Sequence, residues 1–199
     1  MHADKKKIIT IAGRPGSGKS STAKTIATEL GYQHFSSGDL FRALGRELGI
    51  DVLQTNLSAE KGEIEVDVDR LVDERLQTIG ATEDRVIIDS RTAWHWIPGS
   101  FKVFLDLDLN TAAERILATM DDDRLASEHI KRDPVEYAEL LKHRLESETR
   151  RYKALYNIDP YVMSNYDLVI NTGEHNLTEV VQQVLSAYRS WLEQAGRHV

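Results

Sequence analysis

The 199-residue chain has no cysteine, few prolines and no long apolar run. Without cysteine it can form neither disulfide bonds nor thiolate metal sites, which fits a reducing compartment, and we predict a cytoplasmic protein. The apolar stretches RVIID (85–89) and FKVFLDLDL (101–109) are as long as a strand and soon meet charged residues, so no membrane-spanning segment is predicted. The first apolar run meets Arg14 and Pro15 almost at once, which indicates a buried strand rather than a secretory signal.

Positive charge is also in short supply. Lys and Arg number 25 against 32 Asp and Glu, which gives a formal net charge of −7. Proteins that bind nucleic acid usually present a strong basic patch, so nucleic acid is not predicted as a partner. An acidic protein can still have a local basic pocket for a small anion. Hydrophobic residues make up 41% of the chain, which is enough for a packed core. We therefore predict one domain over residues 1–199.

Short apolar segments alternate with helical patterns along the chain. Strands are predicted at 7–12, 32–35, 85–89, 101–107 and 166–171. Helices are predicted at 19–30, 38–49, 67–80, 110–120, 134–156 and 177–192, with a loop or mobile arm at 121–133. Three helix starts have a predicted cap: Asn110, Asp133 before Pro134, and Asn176 paired with Glu179. Apolar strands alternating with helices predict an α/β fold with a five-stranded parallel sheet covered on both faces.

The stretch AGRPGSGKSS (12–21) fits the phosphate-binding pattern G-x-x-x-x-G-K-[ST] and lies between a predicted strand and a predicted helix. Glycines let successive backbone N–H groups point at phosphate oxygens, and the helix start adds a positive dipole end. Lys19 is predicted to reach the outer phosphates of ATP, and the Ser20 hydroxyl to bind Mg²⁺. The predicted ATP-binding residues, called the phosphate loop below, are Gly13, Arg14, Pro15, Gly16, Ser17, Gly18, Lys19, Ser20 and Ser21.

The phosphate loop alone does not identify the reaction. The N/T-K-x-D element that GTPases use for guanine is missing, as is the LSGGQ-type signature of transporter ATPases. A chain of this length with a phosphate loop is more typical of a small-molecule kinase, which needs a second anion site for the acceptor.

Three stretches offer candidate acceptor residues. Ser37 and Arg42 in SSGDLFR (36–42) suit a phosphate or sugar edge, although, taken alone, a helix cap at Ser36 or Ser37 and a solvated arginine explain this stretch better. Asp89 and Arg91 in IIDSR (87–91) follow a buried strand at the carboxyl edge of the sheet, where Asp89 can hold Mg²⁺ through water and Arg91 a phosphate. In RLESETRR (144–151) three residues share one helix face, which is also the pattern of a solvated salt-bridge ladder; they are Arg144, Glu148 and Arg151.

The order of these motifs, with YKALYNID (152–159) and YDLVINT (166–172) after them, resembles the cytidylate kinases, most of all their compact archaeal-type branch. The resemblance covers roughly residues 7–188. It implies a three-layer P-loop nucleoside monophosphate kinase fold with a monophosphate-binding flap (36–80) and a mobile lid (about 119–133), a fold that is often monomeric. It also implies Mg²⁺-dependent transfer of the ATP γ-phosphoryl group to CMP or dCMP.

Carried over by position, the resemblance assigns the monophosphate to Ser37, Arg42 and Arg91, and the pyrimidine side to Arg144, Glu148 and Arg151. Catalytic roles fall to Lys19, Arg91 and the lid residue Arg124. Cytosine has an exocyclic amine where uracil has a carbonyl, and a carboxylate such as Glu148 accepts from the amine only. We therefore expect CMP to be preferred over UMP.

Two features depart from the family pattern. Ser90 stands where glycine is usual, and the lid is acidic at 121–123, leaving Arg124, Arg115, Lys131 and Arg132 as its nearby cations. Two alternatives therefore stay open: a P-loop kinase for another small acceptor, and a nucleotide-binding regulatory module without catalysis. Trp94 and Trp96 are interpreted as packing beside the site, with base stacking as the alternative.

Overall fold

A parallel five-stranded sheet forms the centre of the protein. The computed structural model describes residues 6–47, 68–127, 130–194 and 196. The strands are β1 Ile8–Gly13, β2 Gln33–Ser36, β3 Val86–Asp89, β4 Phe101–Asp106 and β5 Leu168–Asn171. Their order across the sheet is β2-β3-β1-β4-β5, and every pair is parallel, with Ile9 of β1 opposite Ile87 and Phe101.

Helices connect these strands. Within the described residues they are α1 Lys19–Leu30, α2 Ser37–Glu47, α3 Val68–Thr82, α4 Ala93–Trp96, α5 Leu109–Thr119, α6 Asp122–Ser127, α7 Pro134–Tyr156 and α8 Leu177–Gln194. A short 3₁₀ turn occupies Met163–Asn165. None of the helices in these ranges is long and apolar enough to span a membrane.

The two faces of the sheet are both buried. Successive side chains of a strand point to opposite faces, so Ile9 packs with α1 and α8 while Ile8 packs with α3 and α4. Strands covered on both faces are apolar without alternation, as the burial of all six β1 residues shows. A third apolar cluster joins α5, α6 and α7, with Leu117 and Leu141 among its members. The predicted three-layer α/β fold is confirmed.

Two of the three predicted helix caps are confirmed. Asp133 caps α7 by accepting from the N–H groups of Val135 and Glu136, at 2.9 and 3.2 Å, and Pro134 is the first helical residue. Asn176 and Glu179 form the predicted reciprocal box, with backbone-to-side-chain distances of 2.9 and 3.1 Å.

Two local predictions are wrong. The cap of α5 is Asp108 rather than Asn110, because the Asp108 carboxylate accepts from Thr111 N–H at 2.9 Å and Asn110 lies inside the helix. The segment 121–133 is not all loop, since α6 occupies Asp122–Ser127. The predicted helix end at Gly49 and part of the predicted flap lie outside the described residues.

Candidate active site

The phosphate loop connects the end of the central strand β1 to the start of α1. A side chain at Gly13 would place its Cβ 2.4 Å from the carbonyl oxygen of Leu105, so this position requires glycine. Gly18 adopts φ 81°, a left-handed conformation that also favours glycine, and it precedes α1 without a side chain to cap the helix. The first N–H groups of α1 are therefore available to an anion.

Internal hydrogen bonds hold the loop in shape. The hydroxyl of Ser17 donates to the carbonyl oxygen of Arg14 at 2.8 Å, and Arg14 N–H donates to Leu105 O at 3.1 Å. The Arg14 side chain reaches the neighbouring strand β4, where its Nε lies 2.6 Å from Asp106 Oδ1. Arg14 thus lies at the loop with its charge paired.

The two predicted metal-binding residues lie next to each other. Ser20 Oγ donates to Asp89 Oδ2 at 2.5 Å, because β1 and β3 are neighbours and both end at this edge of the sheet. A hydroxyl and a buried carboxylate are hard oxygen donors of the kind that Mg²⁺ prefers. The residues present therefore fit the ion that the fold family implies.

Lys19 is the first residue of α1, and charges from both halves of the site influence its amine. Burial lowers the pKa of its amine, and the guanidinium of Arg91 lowers it further, while the carboxylates of Asp89 and Glu148 oppose that change. Charged groups at the end of β3 and on α7 therefore both act on this amine. A cation held against desolvation is suited to bind an anion.

All six residues predicted to bind the acceptor line one cavity of about 240 Å³, called the acceptor cavity below. They come from α2, from the segment after β3 and from α7: Ser37, Arg42, Arg91, Arg144, Glu148 and Arg151. Sequence spacing alone left the α7 row compatible with a solvated ladder. The structure instead places Glu148, 7% exposed, inside the protein.

Glu148 is the centre of a buried polar network. Its Oε2 lies 3.0 Å from Arg91 Nε and accepts from the Tyr161 hydroxyl at 2.5 Å, and its Oε1 accepts from Arg144 Nε at 3.2 Å. Burial alone would raise the pKa of Glu148, but the two guanidinium groups outweigh it and lower the pKa below its ordinary value. Burial likewise opposes the charge on Arg91, yet Glu148 raises the Arg91 pKa overall. Both groups stay ionised at neutral pH.

At the mouth of the acceptor cavity, Ser37 begins α2 and Arg42 lies a little more than one turn later. Arg42 Nη2 lies 2.5 Å from Asp39 Oδ1, and both side chains are more than half exposed. This is a weak solvent-screened pair, so the Arg42 guanidinium can turn toward a ligand at little cost.

The cations expected in the lid have structural partners. Arg132 donates to the carbonyl oxygens of Leu117 and Met120, both at 3.0 Å, at the end of α5, and pairs with Asp122 at 2.8 Å. Arg115 donates to Thr172 O at 2.9 Å. Their charges are therefore used within the fold, and the side chain of Arg124, the predicted catalytic lid residue, lies outside the described part of the chain.

Sequence reasoning missed several residues of the acceptor cavity. Its wall also contains Phe41, Val72, Asp73, Thr92 and Tyr152. Asp73 follows an apolar residue in a helical pattern. A single sequence does not distinguish such a buried carboxylate from the many helical carboxylates that face solvent. The Tyr161 contact was equally hidden, because it depends on how the chain turns back after α7.

Both tryptophans pack against tyrosines beside the cavity. Trp94 Nε1 donates to the Arg91 carbonyl oxygen at 2.8 Å, and the Trp94 ring lies 5.7 Å from that of Tyr166. The Trp96 ring is 5.0 Å from Tyr156. These contacts support the packing interpretation.

The chain is similar to known proteins over most of its length. The model of the cytidylate kinase-like family matches residues 8–174. A cytidylate kinase from Haloquadratum walsbyi is 37% identical over 187 residues, covering 91% of this chain and 90% of that protein. One from Natronomonas pharaonis is 36% identical, with the same coverage. The crystal structure of a shikimate kinase from Bacteroides thetaiotaomicron matches with a TM-score of 0.61 at 16% identity, covering 94% of this chain and 98% of that one, a likeness of fold alone.

Proposed function

The chain belongs to the cytidylate kinase-like family, and from that membership we propose that it transfers the γ-phosphoryl group of ATP to the 5′ phosphate of CMP or dCMP. The observation that carries the proposal is that the phosphate loop adjoins the acceptor cavity. Ser20 of the loop donates to Asp89 at 2.5 Å, and the two residues after Asp89, Ser90 and Arg91, line the cavity. A donor phosphate on the loop would therefore lie next to an acceptor phosphate held by Arg91.

The phosphate loop is proposed to hold the donor. Its backbone N–H groups and the Lys19 amine bind the outer phosphates of ATP. Ser20 and Asp89 would hold Mg²⁺, which when bound neutralises charge on the phosphoryl oxygens. The hydrogen bond between these two side chains holds them next to each other.

Arginines are proposed to hold the acceptor phosphate. Arg91 is buried beside Glu148, which keeps its guanidinium charged and fixes its orientation, and Arg42 approaches from α2. In the reaction an oxygen of the CMP phosphate forms a bond to the γ-phosphorus as the bond to the β–γ bridging oxygen breaks, and ADP leaves. Positioning and charge neutralisation supply the catalysis, and no covalent enzyme intermediate is formed.

The nucleoside is proposed to lie along the α7 row. Arg144, Glu148 and Arg151 line the same cavity as Arg91, so a phosphate on Arg91 leaves the sugar and base beside them. Buried carboxylates here favour a base that donates a hydrogen bond, so kcat/KM for CMP should exceed that for UMP.

The absence of cysteine supports a cytoplasmic site of action within the same proposal.

An acceptor panel tests this proposal. ADP release would be measured with Mg·ATP and CMP, dCMP, UMP, AMP, GMP, shikimate or gluconate, using Lys19→Met as the inactive control. We expect kcat/KM for CMP or dCMP to exceed every other acceptor by about tenfold or more. A stronger response to a different acceptor would overturn the proposed substrate, and ATP binding without any product would instead favour a regulatory module.

A further inference from the structure

The acceptor cavity has a second buried carboxylate, Asp73 on α3, which the site described so far does not use. The residue is only 4% exposed and lies in the cavity wall. The Thr92 hydroxyl donates to Asp73 Oδ1 at 2.6 Å, and Thr92 is itself held by Ser90, whose Oγ accepts from Thr92 N–H at 3.2 Å. The carboxylate is therefore held in place by Thr92, the residue that follows Arg91 in the chain.

Glu148 contacts three donor groups of its own. Arg144 Nε and the Tyr161 hydroxyl donate to Oε1 and Oε2, and Arg91 Nε forms an ion pair with Oε2 at 3.0 Å. Charge-assisted hydrogen bonds are about twice as strong as neutral ones, so the neutral amine of a base would displace them only at a cost. This geometry suits Glu148 to orient two arginines rather than to contact the base.

Asp73 and Arg42 both line the acceptor cavity but border different neighbouring pockets. The cavity adjoins one pocket at Arg42 and a second pocket at Asp73. Trp96 and Tyr156 line this second pocket. A carboxylate repels a phosphate, so a phosphate held by Arg42 and Arg91 turns the rest of the nucleotide toward Asp73. The groups of CMP that a carboxylate can accept from are the sugar hydroxyls and the 4-amino group of cytosine.

We propose that Asp73, positioned by Thr92, distinguishes cytosine from uracil by accepting a hydrogen bond from the 4-amino group, while Glu148 orients Arg91 and Arg144. Uracil presents a carbonyl oxygen at that position and would leave the buried carboxylate facing a lone pair. This inference rests on the proposed function, because it concerns the acceptor of the same reaction.

The test compares kcat/KM for CMP, UMP and dCMP in the wild type and three variants. An asparagine at position 73 can accept from the cytosine amine or donate to the uracil carbonyl, so Asp73→Asn should lower the CMP/UMP ratio by about 10- to 100-fold. Glu148→Gln should lower activity toward all three acceptors and keep that ratio within about threefold. The control Glu29→Gln, an exposed carboxylate on α1 that lines neither the acceptor cavity nor the pocket beside Asp73, should leave every value unchanged.

A second pair of variants separates positioning from simple destabilisation. Thr92→Val removes the hydroxyl that holds Asp73 and should lower the CMP/UMP ratio, whereas Thr92→Ser keeps the hydroxyl and should restore it. An unchanged ratio in both Asp73→Asn and Thr92→Val would overturn the inference. A change confined to the CMP/dCMP ratio would also overturn the inference, because it would assign Asp73 to the sugar. A large fall of the CMP/UMP ratio in Glu148→Gln would overturn it as well. A wild type that does not phosphorylate CMP would contradict the proposed function itself.

Discussion

Lys19 shows how one residue trades stability for function. Its lowered pKa means that the charged amine is less favourable in the folded protein than in water. Lys19→Met should therefore keep or slightly raise the melting temperature while it lowers kcat by about 10²- to 10³-fold or more, because it removes a charge from the transferring phosphoryl group.

Circular dichroism melting and ADP release on the same preparations would check that prediction. Lys24→Met is the matched control, since Lys24 lies on the same helix with an exposed side chain, and it should leave both quantities unchanged. A Lys19→Met protein that is folded and still turns over CMP at a rate near the wild type would contradict the role of Lys19.

The buried pair of Arg91 and Glu148 predicts how stability depends on pH. The pKa of Glu148 is below its ordinary value of 4.5 in the folded protein, so the unfolded chain takes up the proton first as the pH falls. The contribution of the charged carboxylate is therefore complete above about pH 5 and is lost as the pH falls through the folded pKa. At neutral pH, Glu148→Gln should destabilise the protein by about 1–3 kcal/mol.

Urea unfolding at several pH values between about 3 and 7 would measure this effect. The stability difference between wild type and Glu148→Gln should be constant near neutral pH and shrink below the ordinary carboxylate pKa. Glu139→Gln, an exposed residue of the same helix, is the control and should show little pH-dependent difference. A Glu148→Gln difference that grows as the pH falls would show that the carboxylate is not ionised in the native state.

Among the elements, α7 matters most because it carries Arg144, Glu148 and Arg151 into the acceptor cavity. Its N-terminus depends on the Asp133 cap, so Asp133→Ala should lower the free energy of unfolding by about 1 kcal/mol. The cap is more than two turns from Arg144, and kcat/KM at a temperature where both proteins are folded should be unchanged. Asp133→Asn, which can still cap, is the control. Equal stability of the alanine variant and wild type would show that the cap contributes nothing.

Arg132 stabilises the junction between α5 and α6, and we predict that it takes no part in phosphoryl transfer. Arg132→Lys loses the planar fork that contacts Leu117 O and Met120 O, so it should lower the melting temperature, with a stability cost of about 1 kcal/mol. The rate of phosphoryl transfer at saturating substrates should stay within about threefold of the wild type. The opposite pattern, a large loss of kcat with unchanged melting, would make Arg132 a catalytic lid residue instead.

At the scale of the whole molecule, the sequence predicted the sheet and the phosphate loop well because both depend on local patterns. Apolar runs bounded by charged residues predict buried parallel strands. In the phosphate loop, Gly13 has to be glycine because a Cβ there would collide with the carbonyl oxygen of Leu105. The grouping of Arg91 with the α7 row came from family resemblance, since charges spaced along one helix are usually solvated.

The rest depended on local backbone geometry or on contacts between segments far apart in the chain. Asp108 and Asn110 are both acceptable caps by residue type, and only the backbone decides which oxygen meets Thr111 N–H. Asp73 and Thr92 are 19 residues apart, and their hydrogen bond exists because α3 packs over the end of β3. No periodicity in a single sequence encodes either contact.

The most direct test of the central claim follows the phosphoryl group itself. The protein would be incubated with Mg·ATP labelled at the γ-phosphate and with CMP, and the nucleotides separated by anion exchange. The account predicts that the label moves into CDP in step with ADP formation, and that Lys19→Met abolishes the transfer. Label that appears only as inorganic phosphate, or stays in ATP, would contradict it.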